Sequence, residues 1–98
     1  MVKRVEWTLT AFGKYRGIIF YYKQQDARKG AELFQKAVKH KIEQLEKQPL
    51  IGRPSQKFKT MRIVNIDKNR QMAYRLNGTT LFISNFWDMR QNPKNRPF

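Results

Sequence analysis

Gln71-Met72-Ala73-Tyr74-Arg75-Leu76-Asn77-Gly78-Thr79-Thr80-Leu81-Phe82-Ile83-Ser84-Asn85-Phe86-Trp87 is the stretch on which the fold turns. Asn77-Gly78 stands in its middle. That dipeptide is the strongest short-range hairpin signal, because a type I′ turn needs positive φ at both central residues. Residues 71–76 therefore read as one strand and residues 79–87 as its antiparallel partner. In the second strand Leu81, Ile83 and Trp87 alternate with Phe82 and Phe86, so both faces are largely apolar. Such a strand belongs in the centre of a sheet. Helices are expected on one face, and aromatics that are exposed or covered by the chain's tail on the other.

Working upstream, residues 60–66 form a further strand candidate, separated from the hairpin by a turn at Asp67-Lys68-Asn69-Arg70. Pro49, Gly52 and Pro54 mark residues 49–55 as a loop. Before it, Ala27, Ala31, Phe34, Val38, Ile42 and Leu45 recur at three and four residues and predict a five-turn amphipathic helix, with Asp26 as its N-cap. Phe12, Tyr15, Ile18, Ile19 and Tyr22 predict another, starting behind a Thr8 or Thr10 cap and running to about residue 25. Gly13 and Gly17 weaken that helix by up to ~1 kcal/mol each relative to alanine. Val5, Trp7 and Leu9 alternate with polar residues and make residues 4–9 the opening strand.

The order is β-α-α-β-β-β. It predicts one α+β domain over residues 1–98, an antiparallel sheet with a helical hairpin packed on one face. The first strand is expected at the sheet edge beside residues 60–66.

Composition narrows the function. The 98 residues hold 21 Lys plus Arg against 7 Asp plus Glu, a formal net charge of +14. So large an excess on a small domain repels itself and points to a polyanion or an acidic polypeptide as partner. There is no cysteine and one histidine, His40, which excludes disulfides, thiolate metal sites and histidine-clustered metals. His40 lies between Lys39 and Lys41 and reads as a solvated surface residue. The seven carboxylates are scattered, so neither a paired-carboxylate hydrolase nor an acidic Mg²⁺ site is expected. No cofactor is called for. No apolar run approaches the ~20 residues of a membrane span. The expectation is a soluble cytoplasmic domain with no membrane role.

The candidate binding residues follow the strands. Arg53, Lys57, Lys59 and Arg62 lead into residues 60–66, Lys68, Arg70 and Arg75 frame the next strand, and Arg90, Lys94 and Arg96 follow the last. With helices on one sheet face, these cations are expected to gather on the other, beside Tyr74, Phe86 or Trp87. Cations next to aromatic planes suit single-stranded RNA, which needs charge for phosphates and stacking for bases. Arg53, Arg70, Arg75, Tyr74 and Lys94 are accordingly the candidate nucleic-acid contacts. An acidic protein segment would meet the same surface.

The opening strand with Trp7-Thr8, the two helices, Leu45 through Pro49 followed by Gly52-Arg53-Pro54, the Tyr74 strand, and the ending Phe86-Trp87-Asp88-Met89-Arg90-Gln91-Asn92-Pro93 together resemble the RelE/ParE superfamily, the small basic toxins of type II toxin–antitoxin systems. The resemblance covers nearly the whole chain and rests on the order and spacing of short motifs. It implies the same α+β fold and a cognate, usually acidic, antitoxin. It also implies one of two activities. RelE-like members cleave mRNA on the ribosome without a metal; ParE-like members bind DNA gyrase.

Cleavage needs a group to activate the ribose 2′-OH, a cation for the pentacoordinate phosphate and an acid for the leaving oxygen. By resemblance, Lys57 and Lys59 match the nucleases' basic pair and Arg90 their arginine after the last strand; with Arg62 these form the catalytic set of a metal-independent endoribonuclease, the reading slightly preferred on sequence. Two departures favour the gyrase alternative or a module that only binds its antitoxin. Gln71 stands where the nucleases carry arginine, and residues 92–98 hold neither tyrosine nor histidine. Asp88 and Arg90 are also spaced to form a structural ion pair.

Overall fold

A computed structural model describes residues 1–98. Its order is β1 (Arg4–Trp7), α1 (Leu9–Gln24), α2 (Arg28–Lys47), β2 (Arg53–Pro54), β3 (Met61–Asn65), β4 (Arg70–Asn77), β5 (Thr80–Asp88) and a single 3₁₀ turn (Pro93–Asn95). The expected α+β architecture is present: five strands form one sheet, and α1 and α2 cover one face of it.

Thr8 caps α1. Its hydroxyl accepts a hydrogen bond from the Ala11 amide at 3.1 Å and donates to the Ser84 carbonyl at 3.0 Å, so the start of the helix is tied to β5. The apolar stripe of α2 buries Ala31, Phe34, Val38 and Leu45. Phe34, Val38 and Leu45 pack with Ala11 of α1 against Val64, Met72, Tyr74, Leu81, Ile83 and Phe86 of the sheet and Ile66 just past β3. Tyr15 bridges the layers, with its ring 5.5 Å from Phe34 and 5.0 Å from Trp7.

Asp26 does not cap α2. The cap position is Ala27, which makes no side-chain bond. Asp26 instead takes a left-handed φ of 53° and lets the chain reverse between the helices. Aspartate tolerates that region better than most residues, so the same side chain that suits a cap also suits a turn.

The first strand is not beside β3, and the sheet is not wholly antiparallel. Its order is β1-β5-β4-β3-β2, with β1 parallel to β5 and the other pairs antiparallel. Two causes are visible. The outer edge of β3 is taken by Arg53–Pro54. In parallel register Val5 lies opposite Leu81 and Trp7 opposite Ile83, which puts all four on the helix-covered face. The helical hairpin supplies the long crossover that a parallel pair requires.

The hairpin loop is displaced by one residue from its expected place. Asn77 pairs with Thr80, leaving Gly78-Thr79 as the two central residues. Only Gly78 has positive φ, at 62°, the pattern of a type II′ rather than a type I′ turn.

A bulge in β5 explains a second difference. Ala73 pairs with Asn85 but Tyr74 with Ile83, so Ser84 is extra. An extra residue reverses the alternation beyond it. Phe86 consequently joins Leu81 and Ile83 under the helices, and Trp87 turns to the opposite face.

Candidate functional site

The sheet face away from the helices is built from alternate residues: Met61, Ile63 and Asn65 of β3, Gln71, Ala73 and Arg75 of β4, and Phe82, Asn85 and Trp87 of β5. One half of it is closed by the tail. Phe98 is 2% exposed and packs with Ile63, Ala73 and Trp87. Arg96 holds the approach, donating from Nη1 to the Gln71 side chain at 3.3 Å. Lys57 donates from Nζ to the Arg96 carbonyl at 2.6 Å. The loop carrying Lys57 is itself fixed, because the Ser55 hydroxyl accepts from the Lys57 and Phe58 amides.

The candidate residues do not converge. Arg62 points to the helix-covered side, where its Nη1 donates to the Gly52 carbonyl at 2.7 Å and the Leu50 carbonyl at 3.3 Å. Arg90 sits past the end of β5 and grips Asp88 as a fork, Nε to Oδ1 at 3.0 Å and Nη2 to Oδ2 at 2.7 Å. That pair holds the Asp88 carboxyl below the usual carboxylate range, chiefly through the Arg90 hydrogen bonds, and raises the already high Arg90 value. Lys57 serves the tail, and Lys59 is exposed in the same loop. Lys57 and Lys59 share one loop, but Arg62 and Arg90 are held elsewhere, so the four proposed catalytic cations are divided among three places.

Among the proposed nucleic-acid contacts, two are corrected outright. Tyr74 is fully buried and has no ring face free for a base. Its hydroxyl donates to the Pro49 carbonyl at 2.7 Å and accepts from the Gly52 amide at 3.0 Å, pinning the loop between α2 and β2. Burial pushes its pKa above the ordinary tyrosine value, and the Gly52 bond and Arg62 offset part of that rise. Arg70 is 5% exposed. It lies on the helix side of β4, where its guanidinium sits over the rings of Tyr22 and Phe34 at 5.2 and 5.3 Å and donates to the Tyr22 hydroxyl at 2.8 Å. Phe86 is likewise core. Arg53, Arg75 and Lys94 are exposed, Arg53 at the β2 edge and Lys94 on the 3₁₀ turn. Arg75 lines a cleft with Phe58 and Met61 at the unclosed end of the open face.

The cations do not gather on that face. Lys14, Arg16, Lys23, Arg28, Lys29, Lys36, Lys39, Lys41 and Lys47 are all carried by the helices. The positive charge surrounds the molecule.

Sequence reasoning passed over the outer side of α1. Leu9 is 91% exposed, Phe20 62% and Tyr21 55%. Between α1 and the end of β5 runs an open groove of about 820 Å³, lined by Leu9, Gly13, Gly17, Tyr21, Arg70 and Arg90 among others. The signal was available: residues 9–24 carry more large apolar side chains than one buried stripe uses.

Residues 5–93 match the family described as "ParE toxin of type II toxin-antitoxin system, parDE". No curated protein sequence matches the chain. Among solved structures it is similar to the YoeB/ParE toxin from Agrobacterium tumefaciens, at a TM-score of 0.66 and 16% identity, covering 88% of this chain and 98% of that one. The chromosomal ParDE toxin–antitoxin system from P. aeruginosa gives 0.64 and 20%, covering 89% and 96%. The E. coli DinJ-YafQ toxin–antitoxin complex gives 0.63 and 11%, covering 92% and 96%. At these identities the structural likeness is one of fold.

Proposed function

The chain belongs to the ParE toxin family of type II toxin–antitoxin systems, and on that premise we propose that it arrests growth by binding a protein target, DNA gyrase, with an acidic antitoxin masking it until release. The observation that carries this reading is the tail strap that closes half of the open sheet face through Phe98, with Lys57 bonded to it. Metal-free RNA cleavage requires several groups aimed at one phosphate. Here Arg62 is bonded to loop carbonyls, Arg90 is fork-paired to Asp88, and Gln71 faces Arg96. A protein target needs no such convergence. It needs exposed apolar anchors and long-range attraction, which the outer side of α1 and the net charge of +14 supply.

The antitoxin half of the proposal is supported by that same charge and by the likeness to a chain solved in a toxin–antitoxin complex. A second reading, RNA binding, is favoured by one feature: Arg75 and Phe58 share the cleft at the unclosed end of the sheet face. A supercoiling assay with purified gyrase decides between them. Loss of supercoiling as the protein is added is expected; unaltered supercoiling at large toxin excess overturns the gyrase reading.

A further inference from the structure

The cleft at the unclosed end of the open sheet face is rich in donors and has no carboxylate in its wall. Arg75 enters it from β4, opposite Met61 and Phe82, and is its only charged residue. The chain's three ion pairs, Arg4–Glu6, Asp67–Arg70 and Asp88–Arg90, leave the Arg75 guanidinium unpaired. Ser84 lines the same cleft and is 9% exposed. Its hydroxyl is buried with no partner, a state that is destabilising until an acceptor arrives. Ser84 is the extra residue of the β5 bulge, which is why it and Asn85, neighbours in sequence, share one wall. Asn85 accepts from the Phe86 amide at 2.9 Å through Oδ1, so Nδ2 is left as a donor.

The start of α1 forms another part of the wall, through Thr8 and Thr10. The first amides of a helix have no acceptor within it. Here the Thr8 amide donates to the Ile83 carbonyl and the Ala11 amide to the Thr8 hydroxyl, which leaves those of Leu9 and Thr10. No acidic residue stands in the first turn to answer the positive helix end. A guanidinium, two amides and several hydroxyls outnumber the two oxygens of a carboxylate and suit the three of a phosphate. Phe58 adds a flat apolar surface. Its ring is half exposed, while its amide donates to the Ser55 hydroxyl at 3.2 Å and its carbonyl accepts from the Met61 amide at 3.0 Å. The volume of about 340 Å³ is that of a small-ligand site. A nucleic-acid strand needs a track of cations; this cleft has one, and the Phe98 strap closes the face beyond it.

We propose that this cleft binds a small phosphate monoester with a flat body, a nucleoside monophosphate, its phosphate between Arg75 and the start of α1 and its base against Phe58. The Ser84 hydroxyl then finds in the ligand the acceptor that the chain does not give it. The assignment is independent of the gyrase reading and holds whichever target the toxin has.

Calorimetry on the full chain with adenosine monophosphate tests it. A Kd below ~1 mM is expected, with adenosine alone and inorganic phosphate alone each binding about tenfold more weakly or worse. Arg75→Gln should weaken nucleotide binding about tenfold. Ser84→Ala removes only a hydroxyl that bonds to nothing in the chain, so the melting temperature should not fall, while nucleotide affinity should drop about threefold or more. In amide NMR spectra the Thr10 signal should move as nucleotide is added, and the Gln71 side-chain amide, at the strapped end of the face, should stay in place. No binding at several millimolar nucleotide overturns the proposal, as does binding that Arg75→Gln and Ser84→Ala leave unchanged. Inorganic phosphate held as tightly as the nucleotide also overturns it and reduces the cleft to a site for an adventitious ion only. Affinity that climbs with each residue added to a single-stranded RNA refutes it in favour of a strand track.

Discussion

Tyr74 carries the clearest consequences at the scale of single residues. Its ring is core and its hydroxyl closes the loop after α2. Tyr74→Phe keeps the ring but orphans a buried amide at Gly52 and a carbonyl at Pro49. It should lower stability by about 1–3 kcal/mol in urea unfolding. Because burial raises the folded-state pKa, the neutral hydroxyl's contribution is complete below the unfolded value near pH 10 and is lost as pH rises through the higher folded one. Alkaline destabilisation above about pH 10 should therefore be shallower in Tyr74→Phe than in the unaltered chain. Asp88 runs in the other sense. Arg90 lowers its folded pKa, so the pair's contribution is present above the ordinary carboxylate range and fades as pH falls through the depressed value. In Arg90→Ala, the Asp88 titration followed by carboxyl-carbon NMR should move back up toward that ordinary range. The Asp88–Arg90 pair was readable from its spacing, and the structure shows it; the roles of Tyr74 and Arg70 were not. Tyr74 and Arg70 look like binding residues because they are aromatic and cationic. Which way they face depends on strand parity, and what they touch depends on α1 and the loop at Gly52.

Periodicity made the elements legible, and pairing did not follow from it. Both helices and all but one short strand were readable from three-and-four or alternate spacing, because each buries a single stripe or face. The parallel β1–β5 pair was not, since alternation at Val5 and Trp7 says that a face is buried but not beside which strand. Nor was the bulge at Ser84, which moves Phe86 and Trp87 to opposite faces without any composition cue. The glycines give a test at this scale. Gly13→Ala adds a Cβ into open space on α1 and should stabilise by up to ~1 kcal/mol. A Cβ at Gly52 would lie 2.6 Å from the Tyr74 hydroxyl, which is fixed by two hydrogen bonds. Gly52→Ala should lower stability by about 2 kcal/mol. At Gly30 the added Cβ falls 2.7 Å from the Tyr22 ring, the same ring that Arg70 stacks on and bonds to. Gly30→Ala should therefore disturb the Arg70 Nε–H signal as well as the melting temperature.

For the whole molecule, the net charge was legible and its distribution was not. A charge of +14 was expected on one sheet face, yet the helices carry much of it and the tail shuts half of that face. Charge spread all round a small body repels itself at moderate range. Raising ionic strength shortens the Debye length to ~10 Å at 0.1 M, so the melting temperature should climb with added sodium chloride. Phe98 tests the strap. Phe98→Ala removes its one large apolar anchor and should cost about 3 kcal/mol if the tail stays seated. If the tail lifts instead, Trp87 emission should shift to the red as water reaches it. In neither case do the catalytic candidates come together, because Arg62 and Arg90 are held by contacts that Phe98 does not make. The central claim is that this chain stops growth by occupying a protein and not by cutting RNA. Primer extension on translated messages after induction tests it most directly. Growth arrest with intact transcripts is the predicted result, and new 5′ ends inside translated codons would contradict it.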